Sequence, residues 1–216
     1  MNIAAEASLA RIPAGAVTLE GVLEMRANAC GVVVFSHGSG SGRNSPRNQF
    51  VAAQLRDAGF GTLLLDLLTA AEDRNHEMRF DIDLLTERLG HAMTYLRNHG
   101  QTRDLPLGLF GASTGAASAL RVAAGMPQAV RAVVSRGGRP DLAGKGVLAR
   151  VKAPTLLIVG AEDFGVIMLN HGVRDSMTHC LLEIALVPGA THLFEEPGTL
   201  EAAARLAASW FARYLR

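Results

Sequence analysis

Ser113 stands in the pentapeptide Gly111-Ala112-Ser113-Thr114-Gly115, between an apolar run (Leu105 to Phe110) that reads as a buried strand and an alanine-rich run that reads as a helix. A serine at the tip of such a strand-to-helix turn is placed as a nucleophile. The turn forces its backbone into strain and brings neighbouring chain so close that side chains two positions either side would clash. Glycine at both places removes the clash. The same pattern arises by chance in a chain with 23 glycines, so its surroundings must carry the reading.

A nucleophilic hydroxyl needs a base and an acid to orient that base. The run Thr155 to Val159 is followed by Gly160-Ala161-Glu162-Asp163, and the run Leu182 to Val187 by Pro188-Gly189-Ala190-Thr191-His192. Ser113, Asp163 and His192 thus follow separate strands in the order nucleophile, acid, base, which differs from the orders on chymotrypsin-like and subtilisin-like scaffolds. Taken singly, an aspartate there also caps a helix and a loop histidine is also a packed group. Glu162 is the rival acid; Asp163 is preferred because it lies farther past the strand end. His171 and His179 fall within or at the end of an expected helix, and Glu195 and Glu196 could support the base's loop or cap the final helix, the surface reading being preferred.

After the strand ending at Phe35 comes Ser36-His37-Gly38-Ser39-Gly40-Ser41-Gly42-Arg43. A dinucleotide site needs GxGxxG, but from Gly38 the sixth position is Arg43 and from Gly40 it is Ser45. The better reading is an oxyanion loop, with the backbone N–H groups of Ser39 and Thr114 as donors and His37 as a hydrogen-bonded support. Beyond the strand Ala129 to Val134, Arg136 could meet a carboxylate or phosphate on a substrate, or could equally hold its own loop to Asp141 or a helix end. Arg43 and Arg47 are read as surface groups.

These residues are positioned by short, continuously apolar runs (Gly31 to Phe35, Gly61 to Leu65 and those named above) alternating with helical patterns at Asn48 to Ala58, Asp81 to Asn98, Thr114 to Ala124, Phe164 to Thr178 and Gly198 to Leu215. Continuous hydrophobicity implies strands buried on both faces. The expected fold class is α/β, a mostly parallel central sheet with helices on both faces, in one domain over residues 1–216. Val17 to Met25 could add one or two antiparallel edge strands. Too little chain separates Val134 from Asp163 for a cap domain.

The formal net charge is +1 with 49% hydrophobic residues, which gives no reason to expect nucleic acid or a membrane surface as partner. The start has no basic segment leading into an apolar core, and no stretch approaches the ~18 apolar residues of a membrane span. Two cysteines suit buried thiols in a reducing compartment, so the cytoplasm is expected. The seven histidines have no HxxxH or HExxH spacing, so neither a metal nor another cofactor is expected.

The segments HGSGSG, GASTG, LLIVGAED and PGATH together resemble the α/β-hydrolase superfamily, and within it the small, lidless, dienelactone hydrolase-like serine hydrolases. The resemblance spans about Val17 to Leu215. Dienelactone hydrolases proper carry a cysteine nucleophile; the serine here favours ordinary carboxylic esters. Similar domains occur joined to phosphoribosyltransferase domains, but no acidic pyrophosphate-binding signature is present. The expected function is a serine carboxylesterase acting on small soluble esters or lactones, its partner a small-molecule ester, as a monomer or homodimer. A thioesterase, peptidase or acyltransferase would use the same triad, and a non-catalytic binding module is the remaining alternative.

Overall fold

The structure, a computed structural model, describes residues 6–216. Its centre is an eight-stranded sheet in the order β1-β2-β4-β3-β5-β6-β7-β8. The strands are β1 (Glu6–Ala14), β2 (Val17–Met25), β3 (Val32–Ser36), β4 (Gly61–Leu65), β5 (Leu107–Ala112), β6 (Val130–Arg136), β7 (Thr155–Gly160) and β8 (Leu182–Val187). From β4 to β8 all neighbours pair in parallel; β1 and β2 pair antiparallel, and β2 joins β4 antiparallel.

The parallel strands β3, β4, β5 and β7 are buried at every position, which is why their sequences are apolar without alternation. β1 differs: beyond its exposed start only Ala10, Ile12 and Ala14 are buried, every second residue. One covered face leaves a weaker sequence signal, and β1 is an addition to the expected strands. It forms a hairpin with β2, in which Ala14 pairs with Val17 and Gly15 takes φ +66° in the turn.

Helices cover both faces. On one lie α2 (Ile82–Asn98) and α3 (Gly115–Gly125), burying Leu85, Leu89, Met93 and Leu120 against β1 to β6. Asp81 caps α2 by accepting from Leu84 N–H at 3.0 Å. On the other lie α1 (Pro46–Asp57) and α6 (Thr199–Tyr214), packed on Phe60, Phe110 and Val134. Between β6 and β7 run only a 3-10 turn (Pro140–Ala143) and the short α4 (Lys145–Leu148), so among the described residues no cap domain stands over the sheet. α5 spans Phe164–Gly172, shorter than the expected helix to Thr178; it stops at a glycine, and a separate 3-10 turn covers Arg174–Ser176.

Candidate active site

Ser113 follows β5, the strand flanked by β3 and β6 in the middle of the sheet. Its φ is +50°, a left-handed conformation that a serine adopts at a cost of about 1–3 kcal/mol. The next strand holds it there: Ser113 N–H donates to Arg136 O at 3.3 Å and Arg139 N–H donates to Ser113 O at 3.0 Å. The framing glycines are required by contact. A Cβ on Gly111 would stand 2.5 Å from Ala116 Cα, and one on Gly115 would overlap the Ser36 carbonyl oxygen and lie 2.6 Å from that of His37. Beneath the turn the hydroxyls of Ser36 and Ser118 are 2.7 Å apart, and Ser118 Oγ donates to Gly115 O.

Asp163 and His192 come together across the ends of β7 and β8. His192 Nδ1 donates to Asp163 Oδ2 at 2.7 Å, which leaves Nε2 as the basic nitrogen. The approach depends on Gly160, where a Cβ would meet the carbonyl oxygens of Ala190 and Thr191, the latter at 2.6 Å. Ala161 N–H donates to Val187 O and Glu162 N–H to Ala190 O, tying the acid's turn to the base's loop. Glu162 is exposed and Asp163 is the residue that meets the histidine. His171 and His179 are exposed on other segments.

Glu196 takes the supporting role rather than the preferred surface one. Its carboxylate accepts from Thr191 N–H at 3.1 Å and Thr191 Oγ1 at 2.6 Å, so it braces the residue before His192, and the Thr191 bonds hold its carboxyl below the usual range. The available signal was its place shortly after the base, which it shares with Glu195. Glu195 pairs instead with Arg47 at 2.9 Å.

The oxyanion loop follows β3. Gly38 packs so tightly that a Cβ there would be 2.9 Å from Ser113 Cβ. Ser39 N–H, one of the two expected donors, donates to Thr114 Oγ1 at 3.0 Å. His37 is a support: its Nε2 accepts from Leu67 N–H at 3.0 Å, and Nδ1 lies 3.0 Å from Gly38 O, positioned to donate. Burial pushes its pKa below the ordinary histidine value, against smaller raising effects from Gly38, Asp66 and Asp73.

The arginines divide. Arg139 makes a paired contact with Asp141, and Arg43 bonds Asp66 and Glu20. Arg136 is 8% exposed, its Nε and Nη1 are buried without a partner, and its guanidinium lies 5.6 Å from the centre of the Phe194 ring. Burial, with a smaller effect from Arg47, lowers its pKa to about 10, so it stays a cation at neutral pH. Both cysteines are free and half-buried rather than fully buried. Among the described residues no cluster of three or more His, Cys, Asp or Glu is placed to hold a metal ion, and no helix is long and apolar enough to cross a membrane.

Comparison with known proteins bears on the family and the fold. A model of the dienelactone hydrolase family matches residues 19–215. The crystal structure of dienelactone hydrolase from Anabaena variabilis is 48% identical, with a TM-score of 0.95 over 98% of this chain and 99% of that one. The Pyrococcus furiosus esterase Pf2001 shares the fold at 17% identity, with a TM-score of 0.79 over 98% of this chain and 94% of that one. Two Mycobacterium tuberculosis proteins, 52% identical over 95% of this chain, carry the provisional name phosphoribosyl transferase; the chain spans 46% of their length.

Proposed function

The chain belongs to the dienelactone hydrolase family, and on that premise we propose that it is a serine carboxylesterase cleaving small soluble esters or lactones through an acyl-enzyme. The observation that carries the reading is the 2.7 Å bond between Asp163 and His192 at the same end of the sheet as the strained Ser113. His192 Nε2 takes the Ser113 proton as Oγ attacks the carbonyl carbon, and Asp163 orients and stabilises the imidazolium. The Thr114 amide faces the developing oxyanion, while the Ser39 amide, the other expected donor, is engaged by Thr114 Oγ1 at 3.0 Å. His192 then protonates the leaving alcohol, and a water activated by the same imidazole releases the acid. Arg136, a buried cation with unpartnered nitrogens, would orient substrates bearing a carboxylate or phosphate. The provisional transferase name belongs to proteins of which this chain spans about half, and it supplies no chemistry for Ser113.

The test is fluorophosphonate labelling of Ser113 together with turnover of p-nitrophenyl acetate and butyrate. Ser113→Ala should abolish labelling and lower turnover about a thousandfold or more. A folded wild-type protein with neither labelling nor turnover would refute the assignment. A panel of thioesters, amides and alcohol acceptors separates esterase from thioesterase, peptidase and acyltransferase.

A further inference from the structure

The hydroxyl of Thr114 carries a hydrogen that finds no acceptor among the described residues. Its oxygen accepts from Ser39 N–H at 3.0 Å, the residue is 4% exposed, and the side chain does not cap the helix it precedes. A hydroxyl has one donor and two acceptor positions, so accepting from Ser39 leaves the donor unspent, and a buried polar hydrogen is normally matched. Its position is informative. Thr114 adjoins Ser113, and Gly38, which precedes Ser39, is close enough that a Cβ there would be 3.7 Å from Ser113 Oγ. Thr114 thus ties the oxyanion loop to the residue beside the nucleophile, in the neighbourhood where the oxygen of an attacked carbonyl arrives.

We infer that the Thr114 side-chain hydroxyl is itself an oxyanion donor. Resting on the esterase reading above, the inference changes how the negative charge is held: Ser39 N–H polarises the hydroxyl, and the hydroxyl with the Thr114 amide faces the charge. Such a chain of bonds strengthens each member inside a protein. The hydroxyl keeps its proton throughout. The new bond joins Ser113 Oγ to the carbonyl carbon, the carbonyl π pair moves onto oxygen, and the only proton transferred passes from Oγ to His192.

The test compares Thr114→Val, which keeps the shape and removes the hydroxyl, with Thr114→Ser, which restores it, and Thr114→Ala as a second deletion should valine fail to fold. kcat and KM are read with p-nitrophenyl butyrate, and inhibition with an alkyl boronic acid, which forms a tetrahedral adduct on Ser113. The valine and alanine variants should lose about 10² to 10³ in kcat with little change in KM, bind the boronic acid more weakly by a similar factor, and be rescued by serine. Deletion variants with wild-type kcat would overturn the inference and leave the esterase reading intact. Deletion variants faster than wild type would overturn it too, identifying the hydroxyl as a block on Ser39 N–H. A wild-type protein without labelling or turnover would overturn both readings.

Discussion

The imidazole of His192 and the carboxylate of Asp163 meet at 2.7 Å although they are 29 positions apart in the chain, while Glu162, one residue from the acid, stays exposed. Asp163→Asn keeps the shape and removes the charge that holds the histidine's Nδ1–H. We expect kcat on p-nitrophenyl acetate to fall about 10³ to 10⁴, with an unchanged circular dichroism spectrum. Glu162→Gln should stay within about twofold of wild type. An equal loss in both variants would transfer the acid's role away from Asp163.

Gly115 lies against the backbone of β3, with Ser36 O and His37 O in the space a Cβ would take. Both are main-chain atoms that no rotamer change can move aside. Gly115→Ala should therefore destabilise the protein by about 1–3 kcal/mol or more, lowering Tm by roughly 5 °C or more. Gly146, with open space around it in α4, is the control: Gly146→Ala should hold Tm or raise it by roughly 1–3 °C, alanine being the better helix former. Equal melting temperatures for the two variants would count against the tight packing.

How far the sequence announces this site follows from how local each signal is. The elbow is local: Gly111, Ser113 and Gly115 can be read in one pentapeptide because the crowding that requires them comes from the strand-to-helix turn. The inner parallel strands β3, β4, β5 and β7 are equally legible, since burial on both faces writes itself as mostly apolar runs, whereas β8, read the same way, is an edge strand with only Val187 buried. β1 is harder, because half of its side chains face water and its register comes from β2. Glu196 is half legible: its place after the base suggests a support for the loop, but the pair of bonds to Thr191 that separates it from Glu195 exists only in three dimensions. The same holds for Ser39, whose amide meets a hydroxyl 75 positions away. Arg136 was visible as a cation beyond a strand, but its lack of partners is a property of the packing.

His37 sets a pH limit on stability. Its folded-state pKa is depressed, chiefly by burial, below the value of about 6.5 that it regains on unfolding. Below that pH the unfolded chain binds a proton that the folded one refuses, so stability is complete above pH 6.5 and falls as pH drops through and below it. The slope from this residue is at most about 1.4 kcal/mol per pH unit. Thermal melts between pH 5 and 8 should show a shallower acid limb in His37→Gln than in wild type. Parallel limbs would show that His37 protonates freely in the folded protein.

Arg136 trades stability against recognition. Replacing a buried, poorly partnered cation by an apolar side chain of similar size is often neutral or stabilising by about 1–4 kcal/mol. Arg136→Met should therefore melt at or above the wild-type temperature. If the guanidinium receives a substrate anion, the variant should lose about tenfold or more in kcat/KM on p-nitrophenyl hemisuccinate while keeping its rate on p-nitrophenyl butyrate. Equal losses on both esters would assign Arg136 to holding the Phe194 loop instead.

The two backbone bonds that lock Ser113, to Arg136 O and from Arg139 N–H, run to the adjoining strand and its following turn rather than to a mobile flap. The reactive conformation is thus bonded into the middle of the central sheet, and no separate melting transition is expected of it. On slow heating, catalysis and the far-ultraviolet signal of the sheet should vanish over one temperature range, and hydrogen exchange at the Ser113 amide should proceed only through global opening. What can vary without touching that unit is the rim, so a change of substrate asks nothing of the machinery that attacks it.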